Sequence, residues 1–307
     1  MGISHYLKVI GRGKQGARPL DRVQAADLFG QVLDGETSDL EVGAFCIAMR
    51  VKGESPEEMA GFLDATHQRL NRVPAAAGPV VVLPSYNGAR RLPVLTPLLA
   101  LLLARHGLPV LIHGTTTESS RVPISDVLGA LGITPLAQVR AVRASEAAFV
   151  PTELLHAGLK RLLDVRRVIG LRNSAHSLVK LMNPCAGRAV VVGSYTHPEY
   201  AVSMAAVIEL MGSTALLLRG TEGEVVADAR RHPQMEGFVD GRRVVLEESR
   251  RGTLTDLPGW PDGVDPAATA RYIGDVLAER QPLPASIALQ VEHILRLARA
   301  GNRETHA

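Results

Sequence analysis

What the chain lacks narrows its reading before any motif does. Of 307 residues only two are cysteines, Cys46 and Cys185. Two make no disulfide framework, so both read as reduced, buried thiols. Aromatic residues are 4% of the chain, while hydrophobic residues are 46%. The core must therefore be built from Leu, Val, Ala and Ile, and it is large enough to exclude global disorder. The longest apolar run, Leu98 to Ala104, is far short of the roughly 20 residues that cross a bilayer. The first residues carry no basic-then-apolar targeting pattern. These absences predict a cytoplasmic protein with no membrane partner.

A further absence is local. Leu83-Pro84-Ser85-Tyr86-Asn87-Gly88-Ala89-Arg90-Arg91 joins a strand-like run, Pro79 to Leu83, to a helix start at Thr96-Pro97. Phosphate-binding α/β proteins place glycines at such a junction, because the backbone must approach the phosphate and turn through positive φ. Here Gly88 is the sole glycine, accompanied by a proline, a tyrosine and two arginines. Walker A, G-x-S-x-G, H-E-x-x-H and Cys/His zinc patterns are all missing.

Charge is present but segregated. The net charge is only +3, yet residues 1–22 and 160–188 together hold 12 of the 34 basic groups and 2 of the 31 acids. The remainder carries a net −7. Such segregation suggests a basic face for a polyanion; the alternative is a scatter of charges over solvated helix faces.

The first 75 residues read as short helices. Pro19-Leu20-Asp21 opens one that stops at Gly35. Ser38 with Glu41 forms a capping box for the next, whose apolar positions include Leu40, Phe45, Ile47 and Met49 and which Gly53 follows. Ser55-Pro56-Glu57-Glu58 caps a third, running to about Leu70. After a Pro/Ala/Gly linker the period changes. Strand 79–83, helix 98–106 and strand 108–112 make a βαβ unit, and strand 189–192, helix 198–211 and strand 215–218 repeat the pattern. A strand over 244–247 and helices over 267–279 and 284–300 follow. The fold class is α/β: a small helical domain over 1–75, completed by about 160–188, and an α/β domain over 79–307 with a mainly parallel sheet.

Ligands of a parallel sheet sit beyond the carboxyl ends of its strands. That selects three loops: Pro84 to Leu95, His113 to Arg121, and Arg219 to Glu224. The hydroxyls of the second, including Ser119 and Ser120 ahead of a helix from Ser125 to Leu131, can bind an anion or serve as turn and capping residues. His113 reads as a catalyst or a packed loop histidine. Glu222 and Glu224 read as Mg²⁺ ligands or solvated turn residues. Nothing near Ser119 or Ser120 in sequence supplies a base.

At these loops the chain resembles anthranilate phosphoribosyltransferases of the class III nucleoside phosphorylase-like group. Those enzymes carry G-T-G-G-D-G after the first strand, K-H-G-N-R after the second, and R-T-x-F-N-L-L-G-P-L-T-N-P on a later helix. The equivalents here are Leu83 to Gly88, Ile112-His113-Gly114-Thr115-Thr116 with Ser119-Ser120, and Arg172 to Pro184. The resemblance implies the transferase fold, a site made by Ser85, Asn87, Gly88, His113, Gly114, Ser119 and Ser120, and Mg²⁺ if transfer occurs. The departures argue against transfer. Leu83, Ser85 and Tyr86 stand at glycine positions, Asn87 at an aspartate, Ile112 at a lysine and Gly223 at a metal-binding aspartate. Arg166 matches an acceptor-contacting arginine.

Gly11-Arg12-Gly13-Lys14, Pro84 to Arg90, Arg172 to His176, His197 to Tyr200 and Gly220 to Val225 also resemble the YbiB-type branch of that group. That resemblance implies a homodimer formed through the helical domain and sequence-independent binding of DNA and RNA, without a cofactor or transferase activity. Its implied phosphate contacts are Lys8, Arg12, Lys14, Arg18, Arg90, Arg91, Arg166, Arg167, Arg172 and Lys180.

Overall fold

A computed structural model describes residues 2–300 apart from residues 14 and 256. In chain order the elements are α1 (Ser4–Ile10), α2 (Arg22–Asp34), α3 (Asp39–Lys52), α4 (Pro56–Arg69), β1 (Val80–Ser85), α5 (Thr96–Arg105), β2 (Val110–Gly114), α6 (Ile124–Ala130) and β3 (Ala147–Pro151). There follow α7 (Thr152–Leu155), α8 (Ala157–Ile169), α9 (Ala175–Leu178), β4 (Ala189–Tyr195), α10 (Pro198–Leu210), β5 (Ala215–Arg219), β6 (Met235–Val239), β7 (Arg242–Glu247), α11 (Pro266–Leu277) and α12 (Ala285–Ala300).

The chain divides into two units. The first is made by the residues up to Asn71 together with Thr152–Pro184, so α7, α8 and α9 belong with α1 to α4. Its helices begin where the sequence chemistry demands. Asp21, Ser38 and Ser55 each accept a hydrogen bond from the backbone N–H three residues on, and Gln24, Glu41 and Glu58 reach back to complete three capping boxes. The core of this unit spends three of the chain's five phenylalanines. Phe29 and Phe62 stack with centroids 4.6 Å apart, and Phe45 meets each edge-on. The apolar stripe expected on α3 divides. Phe45 and Met49 are buried, whereas Leu40 and Ile47 face outward, 84% and 41% exposed.

The second unit holds the sheet, in the order β3-β2-β1-β4-β5-β6-β7. The first five are parallel, and β6 and β7 join antiparallel. The continuous valine and leucine run of β1 is buried at every position, as a strand covered on both faces requires. Chain order reverses between β1 and β4, which makes their carboxyl ends the topological switch point. The hairpin between β6 and β7 turns on Asp240 and Gly241, with φ of 49° and 77°. Two positive φ values in succession match the twist of the flanking strands. Among the described residues no helix is long and apolar enough to cross a membrane.

Candidate functional site

The loops at the switch point interlock through contacts that tolerate little side-chain volume. Ser85 pairs with Gly114 across β1 and β2, and a Cβ on Gly114 would lie 1.9 Å from the Ser85 carbonyl oxygen. The chain then turns at Gly88, with φ of 68°, where a Cβ would lie 2.5 Å from the Val122 carbonyl oxygen. Ala89 and Val122 exchange backbone hydrogen bonds of 2.8 and 3.0 Å, stapling the first loop to the second. The third loop, after β5, closes on the first. The Asn87 amide donates to the Glu222 carbonyl at 3.0 Å, and the Ser194 hydroxyl donates to the Gly223 carbonyl at 2.8 Å.

These contacts converge on one carboxylate. Glu224 is 2% exposed. Its Oε1 accepts from the backbone N–H groups of Asn87 and Gly88 at 2.9 and 2.8 Å. Its Oε2 accepts from the hydroxyls of Ser85 and Thr96, the latter at 3.2 Å. Thr96, expected as a helix cap, makes no capping bond and faces this carboxylate instead. The neighbouring Glu222 sits in the left-handed region at φ 52° and accepts from the backbone N–H groups of Arg90 and Arg91 at 2.6 and 3.1 Å. Side chains at Leu83, Ser85 and Tyr86 were expected to keep the backbone of this loop from a pyrophosphate; a carboxylate does meet the loop. Two of its N–H groups and a hydroxyl hold it, and the anion is the protein's own.

His113 lies behind the loop. It is fully buried, its Nδ1 bonds the Tyr86 hydroxyl at 2.8 Å, and its Nε2 has no partner among the described residues. Burial pushes the imidazole down to about 3, so it is neutral at physiological pH. Thr117 fixes Tyr86 by donating to its carbonyl oxygen at 2.7 Å. Ser119 and Ser120 are exposed and Gly114 is buried in β2. The serines therefore stand apart from the buried donor set. Sequence reading missed the part played by Tyr86, Thr96 and Thr117. Its signal for Glu224 was a glycine turn with two glutamates after a strand, read as Mg²⁺ ligands or solvated turn residues.

As arranged, these glutamates do not fit a divalent cation. Each is already committed to N–H or O–H donors, and among the described residues no group of three or more His, Cys, Asp or Glu comes together to hold one.

The remaining candidates fall into two groups. Arg90 and Arg91 are exposed in the α/β unit. Lys8, Arg12, Arg18 and Arg167 are exposed in the helical unit, where Arg166, Arg172 and Lys180 are half-buried. Lys14 lies outside the described residues. Burial, followed by Arg172, Arg166 and Lys180, takes His176 down to about 3. Asp164 bonds Lys160 and sits 3.5 Å from Arg167, so part of the basic stretch is neutralised within its own helix.

The chain thus joins a helical bundle to a parallel sheet whose switch point holds a buried carboxylate among several donors. It belongs to the glycosyl transferase family. Residues 4–69 match the model "Glycosyl transferase family, helical bundle domain", and residues 93–233 match "Glycosyl transferase family, a/b domain". It is 40% identical to the uncharacterized protein YbiB of Escherichia coli strain K12, over 95% of this chain and 92% of that one. It is 29% identical to the anthranilate phosphoribosyltransferase of Methylobacterium radiotolerans, over 89% and 80%. Among solved structures, the anthranilate phosphoribosyltransferase of Thermus thermophilus superposes with a TM-score of 0.73 at 23% identity, covering 96% and 93% of the two chains. The enzyme of Saccharomyces cerevisiae in complex with PRPP and Mg superposes with a TM-score of 0.67 at 16% identity, covering 97% and 88%.

These comparisons overturn the expectation of a sequence-independent DNA- and RNA-binding protein. Three of these four carry the anthranilate phosphoribosyltransferase name, the fourth is uncharacterized, and none of the four carries nucleic-acid binding in its name. The physical reason is that clustering of charge along the chain fixes no common surface. The basic candidates belong to two separate units, and some are paired locally.

Proposed function

We propose that this chain is an anthranilate phosphoribosyltransferase-like glycosyltransferase, whose first β-strand loop holds the anionic end of a phosphorylated ribosyl donor. The observation that carries the reading is the convergence of the Asn87 and Gly88 N–H groups and the Ser85 and Thr96 hydroxyls on one anion position. Donors fixed in a buried setting stabilise negative charge without reorganising. Breaking the bond between the sugar and a diphosphate leaves that charge on the departing group, so the same donors would favour the transition state. Neutral His113 orients Tyr86 behind the loop and adds no charge. The relatives that carry the anthranilate phosphoribosyltransferase name support the reading.

The test incubates the purified chain with phosphoribosyl pyrophosphate and anthranilate, with and without Mg²⁺, and follows the loss of anthranilate fluorescence. Turnover supports the proposal. The absence of both turnover and binding heat from the donor sinks it.

The homodimer implied by the resemblance is a further part of this proposal. Leu40, Ala44, Ile47 and Val51 recur at helical spacing along α3 and all are exposed. A second copy covering that stripe would remove it from water.

A further inference from the structure

The strap that carries Glu224 is closed at its base, and the Asn87 amide and Ser194 hydroxyl hold the Glu222 and Gly223 carbonyls at its tip. The bridge between Gly220 and Ala227 and the Thr221 amide, which donates to the Val226 carbonyl at 2.9 Å, fold it into a closed turn. Gln290 of α12, fully buried, pairs with it as a strand would. Its side-chain oxygen accepts from Ala227 N–H at 2.8 Å, and its amide donates to the Val225 carbonyl at 2.7 Å. Beyond this clamp the chain passes through two left-handed residues, Glu222 and Gly223, before Glu224 enters the loop. A Cβ on Gly223 would lie 1.7 Å from the Asn87 amide nitrogen, so the turn fits this closed arrangement closely.

We infer that Glu224 is a tethered competitor for the anion position, and so the residue that determines which ligands the site admits. This rests on the reading of the loop as the donor-binding site. The carboxylate takes the donors that an external phosphate needs, and both cannot hold them at once. A tethered group acts at an effective concentration on the order of millimolar. If the strap releases Glu224 in about one molecule in ten, the apparent dissociation constant of an external anion rises about tenfold. A monoanion offers no more charge than the carboxylate it must displace. A diphosphate offers several charges, and it alone competes well. The site thereby excludes the abundant small anions and admits polyanionic phosphates.

The test uses inorganic pyrophosphate and formate as probes on the full chain, read by calorimetry and by thermal denaturation. Removing the carboxylate in Glu224→Ala should tighten pyrophosphate binding about tenfold or more. Formate should protect this variant against heat and compete with pyrophosphate, while leaving the parent unmoved. Equal or weaker pyrophosphate binding in Glu224→Ala overturns the inference. Should that variant fail to fold, Glu224→Gln decides. Its amide keeps an oxygen for the loop's N–H groups but turns the other acceptor into a donor toward the Ser85 and Thr96 hydroxyls and removes the charge, so a gain over the parent supports the competitor and no gain overturns it. The outcomes separate the two readings. A gain in pyrophosphate binding with no phosphoribosyl turnover by either protein removes the transferase and leaves the competitor. Turnover by the parent with no gain in the variants does the reverse.

Discussion

The Tyr86 hydroxyl and His113 Nδ1 lie 2.8 Å apart in a fully buried setting, and the imidazole between β1 and β3 is held neutral. His176 in the helical unit is neutral by the same first cause, desolvation, here reinforced by three nearby cations. Both stand near 3 against an ordinary value of 6.5. Above the ordinary value the two states bind the same protons there. Below it the unfolded chain takes up protons that the folded chain refuses, so stability falls as pH drops from 6.5 toward 3. Each histidine contributes a slope of up to about 1.4 kcal/mol per pH unit. Urea denaturation midpoints at pH 7 and pH 5 should therefore differ, with the lower midpoint at pH 5. Equal midpoints would contradict the buried neutral assignment.

Glu58 anchors the helical unit. Fully buried, it pairs with the Lys52 ammonium at 2.6 Å and accepts from the backbone N–H groups of Leu20 at 2.9 Å and Ser55 at 2.8 Å. Glu58→Ala takes the counter-charge from a largely covered ammonium and the acceptor from two amides, and should cost about 3 kcal/mol or more. The loss in the Lys52→Ala, Glu58→Ala double variant should be smaller than the sum of the single losses, because the two share one interaction. Additive losses in chemical denaturation would show the pair to be uncoupled.

Two helical glycines make opposite predictions. Gly274 in α11 has nothing within 4 Å of an added Cβ, whereas a Cβ on Gly61 in α4 would lie 2.3 Å from the Arg22 carbonyl oxygen of α2. Gly274→Ala should stabilise by about 0.5–1 kcal/mol through helix propensity. Gly61→Ala should destabilise by about 2 kcal/mol or more, because backbone must move to make room. Melting temperatures that shift in the same direction would disprove the contrast.

The exposed stripe on α3 makes a prediction about assembly. Val51 is 70% exposed and Leu40 84%. If a second copy covers them, light scattering should give twice the 32.8 kDa chain mass, and Leu40→Asp with Val51→Asp should return it to the single-chain value without lowering the melting temperature of the separated chain. A parent that scatters as a single chain at all concentrations removes the dimer.

The parts of the fold that are fixed locally were legible. Ser38 with Glu41 and Ser55 with Glu58 announce their helices, because a capping box needs only four neighbouring residues. The apolar run from Val80 marks β1 for the same reason. β3, with its short Ala147–Pro151 run, carries too little pattern to distinguish strand from loop, and pairing with β2 decides it. The only local signal for β6 is the Asp240-Gly241 turn that follows it. The site was legible in its first loop but not in what fills it. Ser85 and Glu224 are 139 residues apart, and no local rule joins a hydroxyl to a carboxylate over that distance. The basic residues mislead for a related reason: proximity along the chain is not proximity in space.

The helical unit closes only when Thr152–Pro184 joins the residues before Arg72. During synthesis, α2 and α4 emerge first but α8, which packs on α2, comes only after β1 to β3 have left the ribosome. The first helices must therefore wait, partly uncovered, while a different unit begins to assemble. A fragment cut at the linker near Gly78 should then be a poor folder and prone to aggregate, whereas a nick between Asn71 and Val80 in the finished protein should leave both units standing.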